Sequence, residues 1–343
     1  MKTIIIPNPG EVKIIETPKP EAKEGEALLK VLRGGICGSD LGTYKGTFAY
    51  ASYPRIPGHE FSAQIVSLNG DASKYGLKEG MVVTCNPYFN CTKCYSCERG
   101  LLNCCEHNET LGAQRDGAFS EYITMPFERI YDGKGLDPAE LAAIEPFCIS
   151  YHGAVTRGGA KKGDRVLVIG AGTIGALAAV AAKSQGATVY IADVAQKKID
   201  YAVENFDLDG GIFNDGGHFI DRCLELTQGR GFDVAIEAVG LPSTFQSAID
   251  AAAFGGRVVL IGVGKQNLDF NFTLLQKKEL NVFGSRNALK QDFLNLIDLV
   301  KSGKVNLAKA ITNTYSFAEA PQAFADFAAH GADMLKVMID FTK

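Results

Sequence analysis

The 343-residue sequence predicts an α/β protein of two domains, one β-rich and one built on a doubly wound parallel sheet. Residues 1–150 carry short aliphatic runs set between Gly and Pro, as in Ala27–Leu32 and Gln64–Leu68. Beyond Gly163 the pattern changes to aliphatic strand runs alternating with helix-forming stretches. A glycine-rich turn joins the first of those runs to the first of those helices. Alternation of this kind indicates parallel strands with crossover helices. At roughly 100–200 residues per domain, two domains suit the length.

Arg165–Ile169 (RVLVI) reads as a fully buried strand, and the alanine-rich stretch Thr173–Gln185 as the helix after it. Val189–Ala192 is the next strand, ending at Asp193, and Phe232–Ala235 and Arg257–Ile261 are two later ones. Leu280–Phe283 is a further strand candidate. Leu289–Lys343 reads as helix followed by one strand, Leu335–Phe341. The domain boundary is expected near residue 151.

Composition narrows the function classes. Apolar residues make up 46% and charged residues 22%, which excludes a disordered or fibrous chain. Lys+Arg 35 against Asp+Glu 39 leaves a net charge of −4, which argues against a nucleic-acid partner. No apolar run approaches the roughly 18–20 residues that span a bilayer, so no membrane role is expected. The N-terminal apolar stretch, broken by Pro7 and Pro9, is too short for a signal peptide, and the expected location is cytoplasmic. In a reducing compartment, clustered thiols bind metal or do chemistry more often than they pair. Five of the nine cysteines fall between Cys91 and Cys105.

That cluster reads NCTKCYSCERGLLNCCEH. Cys91, Cys94 and Cys97 recur every third residue, and Cys105 follows. Four thiolates suit a tetrahedral structural Zn²⁺ with no open corner. Cys104 is the alternative fourth ligand by position, and unpaired loop cysteines are the bland reading. A second, dispersed set is Cys37 in GICGSD, His59 and Glu60 in GHE, and Glu145 in AAIEPF. One sulfur, one imidazole and one or two carboxylates hold a catalytic zinc with a free position. Asp40 is placed to accept the second ring N–H of His59, and Ser39 to relay a proton. Taken singly, each of these residues is as readily core or surface. A single ion bridges Cys37 and His59 only if they lie within about 8 Å of each other.

The turn Gly170-Ala171-Gly172-Thr173-Ile174-Gly175 opens a helix after a strand. The first glycine permits the tight turn, the second lets backbone approach a pyrophosphate, and the third permits close helix packing. Asp193 ends the next strand, near where a carboxylate receives ribose hydroxyls and repels a 2′-phosphate, so NAD is expected over NADP. Lys197 and Lys198 temper that preference. A tight turn without nucleotide is the alternative.

In one order along the chain stand GICGSD, GHE, the four-thiol lobe, Glu145-Pro146 and GAGTIG. This set resembles the zinc-containing medium-chain dehydrogenase/reductase family over essentially the whole chain. Within it, the polyol and sugar-acid branch (sorbitol, galactitol-phosphate and L-galactonate 5-dehydrogenases) has similar GHE, Glu-Pro and Gly-Ser-Arg-Asn segments, the last here Gly284–Asn287.

The resemblance implies a GroES-like β-rich catalytic domain from residues 1–151 and 287–343, and a Rossmann NAD-binding domain from 152–286. It implies two zinc ions per subunit. Cys37 and His59, with Glu60 and Glu145 as further ligands, would hold the catalytic one; Cys91, Cys94, Cys97 and Cys105 the structural one. Ser39 would meet the reacting oxygen. Lys198, Val263, Ser285 and Asn287 join the glycine turn and Asp193 as expected cofactor contacts. The implied activity is an NAD-dependent zinc dehydrogenase oxidising a secondary hydroxyl of a polyol, sugar or sugar acid such as an aldonate to the ketone. The implied assembly is a homodimer or homotetramer, with Leu280–Phe283 as a candidate interface edge. Relatives often carry a histidine five residues after the cysteine; here that position is Gly42, so the proton path beyond Ser39 departs from the pattern. L-threonine dehydrogenase, and a zinc- and nucleotide-binding sensor or structural subunit without turnover, are the alternative functions. Tyr44, Phe48, Tyr50, Phe89, Phe119 and Arg286 are candidate substrate-pocket residues.

Overall fold

A computed structural model describes residues 1–264 and 266–343. In chain order, the elements that position the sites are β1 (Glu26–Ile36), α1 (Gly38–Tyr44), β2 (Glu60–Asn69), β3 (Val82–Cys85), β4 (Tyr88–Phe89), α2 (Tyr95–Glu98), β5 (Tyr122–Pro126) and β6 (Ile130–Asp132). Next come α3 (Ile144–Tyr151), β7 (Arg165–Ile169), α4 (Thr173–Ser184), β8 (Thr188–Asp193), β9 (Gly210–Phe213), β10 (Phe232–Glu237), β11 (Ala252–Leu260) and β12 (Asn281–Gly284). The chain closes with β13 (Ile311–Ser316), α5 (Ala320–His330) and β14 (Lys336–Asp340).

Two compact units result. One comprises Met1–Glu145 with Leu289–Lys343; the other is Pro146–Ala288. The first division falls inside α3.

The first unit is a seven-stranded sheet ordered β13-β14-β1-β2-β3-β6, with β5 also paired to β1. β1 is long and half aliphatic, and buries Ala27, Leu29 and Val31 in alternation, the period-2 signature of a strand with one face inward. The aromatic part of the core is Phe61, Phe119, Phe127, Phe317, Phe324 and Phe341. The C-terminal segment departs from the expected single strand. β13, sequence ITNTYS, pairs in parallel with β14. It lies at the sheet edge and is polar, so it carries no aliphatic run to read. β14 runs antiparallel to β1 with Val337 opposite Ile36, which brings Lys336, at the start of β14, beside the end of β1 and Cys37.

The second unit is a six-stranded, wholly parallel sheet ordered β9-β8-β7-β10-β11-β12. Its central strands bury both faces, so β7 needs an unbroken aliphatic run. The order reverses direction at β7, the point where parallel sheets open a ligand crevice beyond their C-terminal ends. Among the described residues, no helix is long and apolar enough to cross a membrane.

Candidate active site

In the first unit, β1 ends at Ile36 and hands Cys37 to the N-cap of α1. His59 precedes β2 and Glu60 begins it. One ligand atom from each of Cys37, His59 and Glu60 lies within 4.8 Å of the other two. His59 and Glu60 are buried, at 6% and 1% exposure. Two loops distant in sequence are tied by one carboxylate. Asp40 Oδ2 accepts the Cys37 N–H at 3.0 Å, and Asp40 Oδ1 accepts the Gly58 N–H at 3.0 Å.

Asp40 was expected to take the His59 ring N–H as well. Its Oδ1 stands 4.0 Å from His59 Nδ1, and that buried nitrogen has no hydrogen-bond partner among the described residues. Both Asp40 oxygens are already committed to backbone, so the contact is electrostatic.

Lys336, on β14, is the partner that motif reading missed. It is 3% exposed, and its Nζ donates to Glu60 Oε1 at 2.7 Å, to Glu60 Oε2 at 2.5 Å and to the Ile36 carbonyl at 3.2 Å. Its sequence signal is a lysine directly before the apolar run Val337–Ile339. Burial works against its ammonium, but Glu60 and Cys37 hold the charge, and its pKa rises above the ordinary lysine value.

Glu145, in the first turn of α3, is 3% exposed and accepts a hydrogen bond from the Tyr88 hydroxyl. Its carboxyl is not among the three groups that share the 4.8 Å spacing. Burial, opposed by His59 and reinforced by Glu60, raises its pKa to about 7. Burial alone would lower the His59 pKa, but Cys37, Asp40 and Glu145 outweigh it and raise it well above the usual value. Asp40 is raised by burial.

The cluster therefore sets Cys37, Glu60 and Glu145 around the Lys336 ammonium and Cys37, Asp40 and Glu145 around His59, a buried spot that favours positive charge. One sulfur, one imidazole nitrogen and one carboxylate at this spacing fit a zinc ion. Ser39 lies half-buried on the first turn of α1. An ideal Cβ on Gly42 would sit 3.2 Å from Phe48 Cβ, so Phe48 covers the position at which relatives carry histidine.

The thiol lobe is a second donor set. Cys91, Cys94, Cys97 and Cys105 lie within 4.8 Å of one another, and Cys104 is outside the group. α2 presents Cys94 at its N-cap and Cys97 in its only full turn. Backbone N–H groups of Glu106 and Cys97 lower the Cys94 thiol pKa to about 6, ready to ligate. All four are free thiols, and the set suits closed tetrahedral zinc.

In the second unit, Gly170 adopts φ +105°, a conformation only glycine takes readily. A Cβ on Gly175 would stand 1.7 Å from the Gly170 carbonyl oxygen, so the third glycine is sterically obligatory. Gly172 is the N-cap of α4, and Thr173 and Ile174 form its first turn. Asp193, at the end of β8, accepts the Ala171 N–H at 2.7 Å and the Ala195 N–H at 2.9 Å, which fixes its carboxylate beside the turn. A cavity of about 530 Å³ opens here, lined among others by Gly170, Asp193, Asp215, Val239 and Leu241. Asp215 was not foreseen, because β9, the strand two residues before it, is short and carries two glycines.

The other expected contacts differ in setting. Lys198 is half-buried on the helix after β8, and Val263 is 81% exposed. Ser285 Oγ is buried without a hydrogen-bond partner among the described residues, and Asn287 takes φ +50°. Among the pocket candidates, Phe119 is corrected: it is fully buried core, packed on Phe341 and against Gly34 and Gly58. Phe89 lies under the guanidinium groups of Arg115 and Arg129, at 3.8 and 4.5 Å.

With this geometry in place, comparison with known proteins is direct. The "Alcohol dehydrogenase GroES-like domain" family matches residues 23–134, and "Zinc-binding dehydrogenase" matches residues 173–302. The chain belongs to the zinc-containing medium-chain alcohol dehydrogenase/reductase family. Within it, the chain is similar to L-galactonate-5-dehydrogenase of Escherichia coli K12, 34% identical over 99% of each chain. It superposes on galactitol-1-phosphate dehydrogenase of E. coli with TM-score 0.90, 29% identical, over 99% of this chain and 100% of that one. An alcohol dehydrogenase of E. coli CFT073 complexed with NADH matches with TM-score 0.90 at 30% identity, over 99% of each chain. A zinc-binding dehydrogenase of Sinorhizobium meliloti 1021 bound to NADP matches with TM-score 0.89 at 28% identity, over 99% of this chain and 98% of that one.

Three outcomes follow from this geometry. Gly175→Ala forces α4 off the turn and is expected to raise the Kd for the dinucleotide at least about tenfold, read by NADH fluorescence titration. Lys336→Met leaves Glu60 buried and unpaired, and is expected to cost about 3–5 kcal/mol of unfolding free energy in urea titration. Glu145 favours its proton in the folded chain, so it stabilises below pH 4.5 and that stability is lost as pH rises through about 7. In metal-stripped protein, the stability advantage of Glu145→Gln over wild type should grow across that window; a pH-independent difference would contradict the assignment.

Proposed function

We propose that this protein is an NAD-dependent zinc dehydrogenase that oxidises a secondary hydroxyl of a polyol, sugar or sugar acid, such as an aldonate, to the ketone. The observation that carries the reading is the sulfur–imidazole–carboxylate set of Cys37, His59 and Glu60 in the same chain as the Gly170–Gly175 turn. The similarity to L-galactonate and galactitol-1-phosphate dehydrogenases supports the substrate class.

The chain's own groups have distinct tasks in this reading. Cys37, His59 and Glu60 hold zinc, and Cys91, Cys94, Cys97 and Cys105 hold a second, structural ion. Zinc at the first site supplies Lewis-acid charge stabilisation that makes the hydroxyl more acidic. Ser39 accepts the hydroxyl proton and passes it to water, to the cofactor ribose or to Glu145, because Gly42 offers no imidazole. Asp40 keeps the Cys37 and Gly58 backbones in register. The helix N-terminus at Gly172–Gly175 would hold the pyrophosphate, and the bound dinucleotide would supply the hydride acceptor for the carbinol carbon.

Preference for NAD over NADP rests on charge. Asp193 and Asp215 both line the cavity, and among the described residues no lysine or arginine does. A 2′-phosphate would there meet the Asp193 carboxylate, while Asp215 is paired with Arg222 at 2.5 Å. For assembly, β12 lies at the free edge of its sheet and suits pairing with a second copy as a homodimer or homotetramer.

The test is a screen of polyols, aldonates and L-threonine with NAD and NADP, run with Cys37→Ala alongside. The expected outcome is NADH formation with a polyol or aldonate, and loss of turnover by at least ~10³-fold in the variant with NADH binding retained. Full activity of Cys37→Ala, or NADH binding with no turnover across the panel, would refute the proposal.

A further inference from the structure

The site leaves one acidic group without an assigned place. Glu145 is buried like His59 and Glu60, yet its carboxyl does not join the cluster at the 4.8 Å spacing. Its observed partner is the hydroxyl of Tyr88, which donates to Glu145 Oε1. Tyr88 is 5% exposed and rigidly placed. Its N–H donates to Asn86 Oδ1 at 2.9 Å, Arg129 Nη1 donates to its carbonyl, and β4 pairs it with Thr110. Arg129 also donates to Asn90 Oδ1 at 3.0 Å, one residue before Cys91. The thiol lobe therefore anchors the strand that carries Tyr88, and Tyr88 carries the restraint on Glu145.

We propose that Tyr88 is a positioning residue that holds the Glu145 carboxyl off the metal, keeping the coordination position needed by substrate open. The proposal rests on the reading of Cys37, His59 and Glu60 as a zinc site. A tyrosine hydroxyl donates a single hydrogen bond, and phenylalanine preserves the ring while deleting it. A carboxylate released from that bond, buried beside a divalent cation, gains more from coordination than from any group left to it. Bound there, it would compete with the substrate oxygen for the metal.

Coordination by Glu145 predicts a sign that mere loss of structure does not. Tyr88→Phe is expected to retain its zinc more tightly than wild type, with transfer to a chromogenic chelator slowed at least about fivefold, while the KM for the alcohol rises about tenfold or more. The double variant Tyr88→Phe/Glu145→Gln should return both quantities to those of Glu145→Gln alone, because the amide is a poor ligand. Circular dichroism melting of all three variants identifies any that fail to fold. Faster or unchanged zinc transfer in Tyr88→Phe, or failure of the second substitution to reverse the effect, would overturn the role of Tyr88. Zinc content of Cys37→Ala separates this from the underlying reading: one equivalent fewer than wild type upholds the metal site, and an unchanged content overturns it.

Discussion

The ion pair between Lys336 and Glu60 is the constraint on which the first unit turns. Three carboxyl groups gathered out of water, those of Asp40, Glu60 and Glu145, are unfavourable as anions unless cations accompany them. The ammonium that does so arrives from a residue 276 positions away. It can reach Glu60 only if β14 lies against β1, and the register of Val337 opposite Ile36 delivers it there. The same ammonium meets the carbonyl of Ile36, directly before Cys37. One side chain thus joins the C-terminal strand to both segments that carry the candidate ligands. The charge it leaves uncompensated raises the His59 pKa and makes the spot hospitable to a divalent ion.

Around that pair, polar and apolar devices share the positioning. Asp40 closes the N-terminus of α1 through Cys37 and reaches across to Gly58, so the two ligand loops move as one. Gly58 itself is there for packing. It takes φ +97°, and a Cβ on it would fall 2.1 Å from Phe119 Cδ1. The glycine of the GHE motif therefore serves the aromatic core that seats His59, while the two residues after it serve the chemistry. In the second unit a comparable steric logic governs the glycine turn. Gly170 supplies a backbone conformation and Gly175 a missing side chain, and between them the start of α4 is left free for an anion.

Much of both sites was legible in the chain because the chemistry is local there. Three cysteines at every third residue and a fourth nearby place four sulfurs on one small lobe, whatever the rest of the chain does. A strand, a glycine turn and a helix place backbone N–H groups at one spot for the same reason. The dispersed set was legible only through its resemblance to a known family, since Cys37, His59 and Glu145 carry no mutual spacing. The C-terminal segment was misread in part, because an edge strand such as β13 needs no apolar face toward a partner sheet and so leaves no pattern.

The amino-acid order alone was enough to specify the fold class, the thiol lobe and the glycine turn, because each depends on neighbours within a few residues or on a repeating apolar period. Tertiary structure was needed to pair Lys336 with Glu60, to set Tyr88 against Glu145, to sink Phe119 into the core and to hold Asp40 just beyond hydrogen-bond reach of His59. Those relations join strands far apart in the chain, and register and packing, which no short window of sequence encodes, bring them to atomic contact.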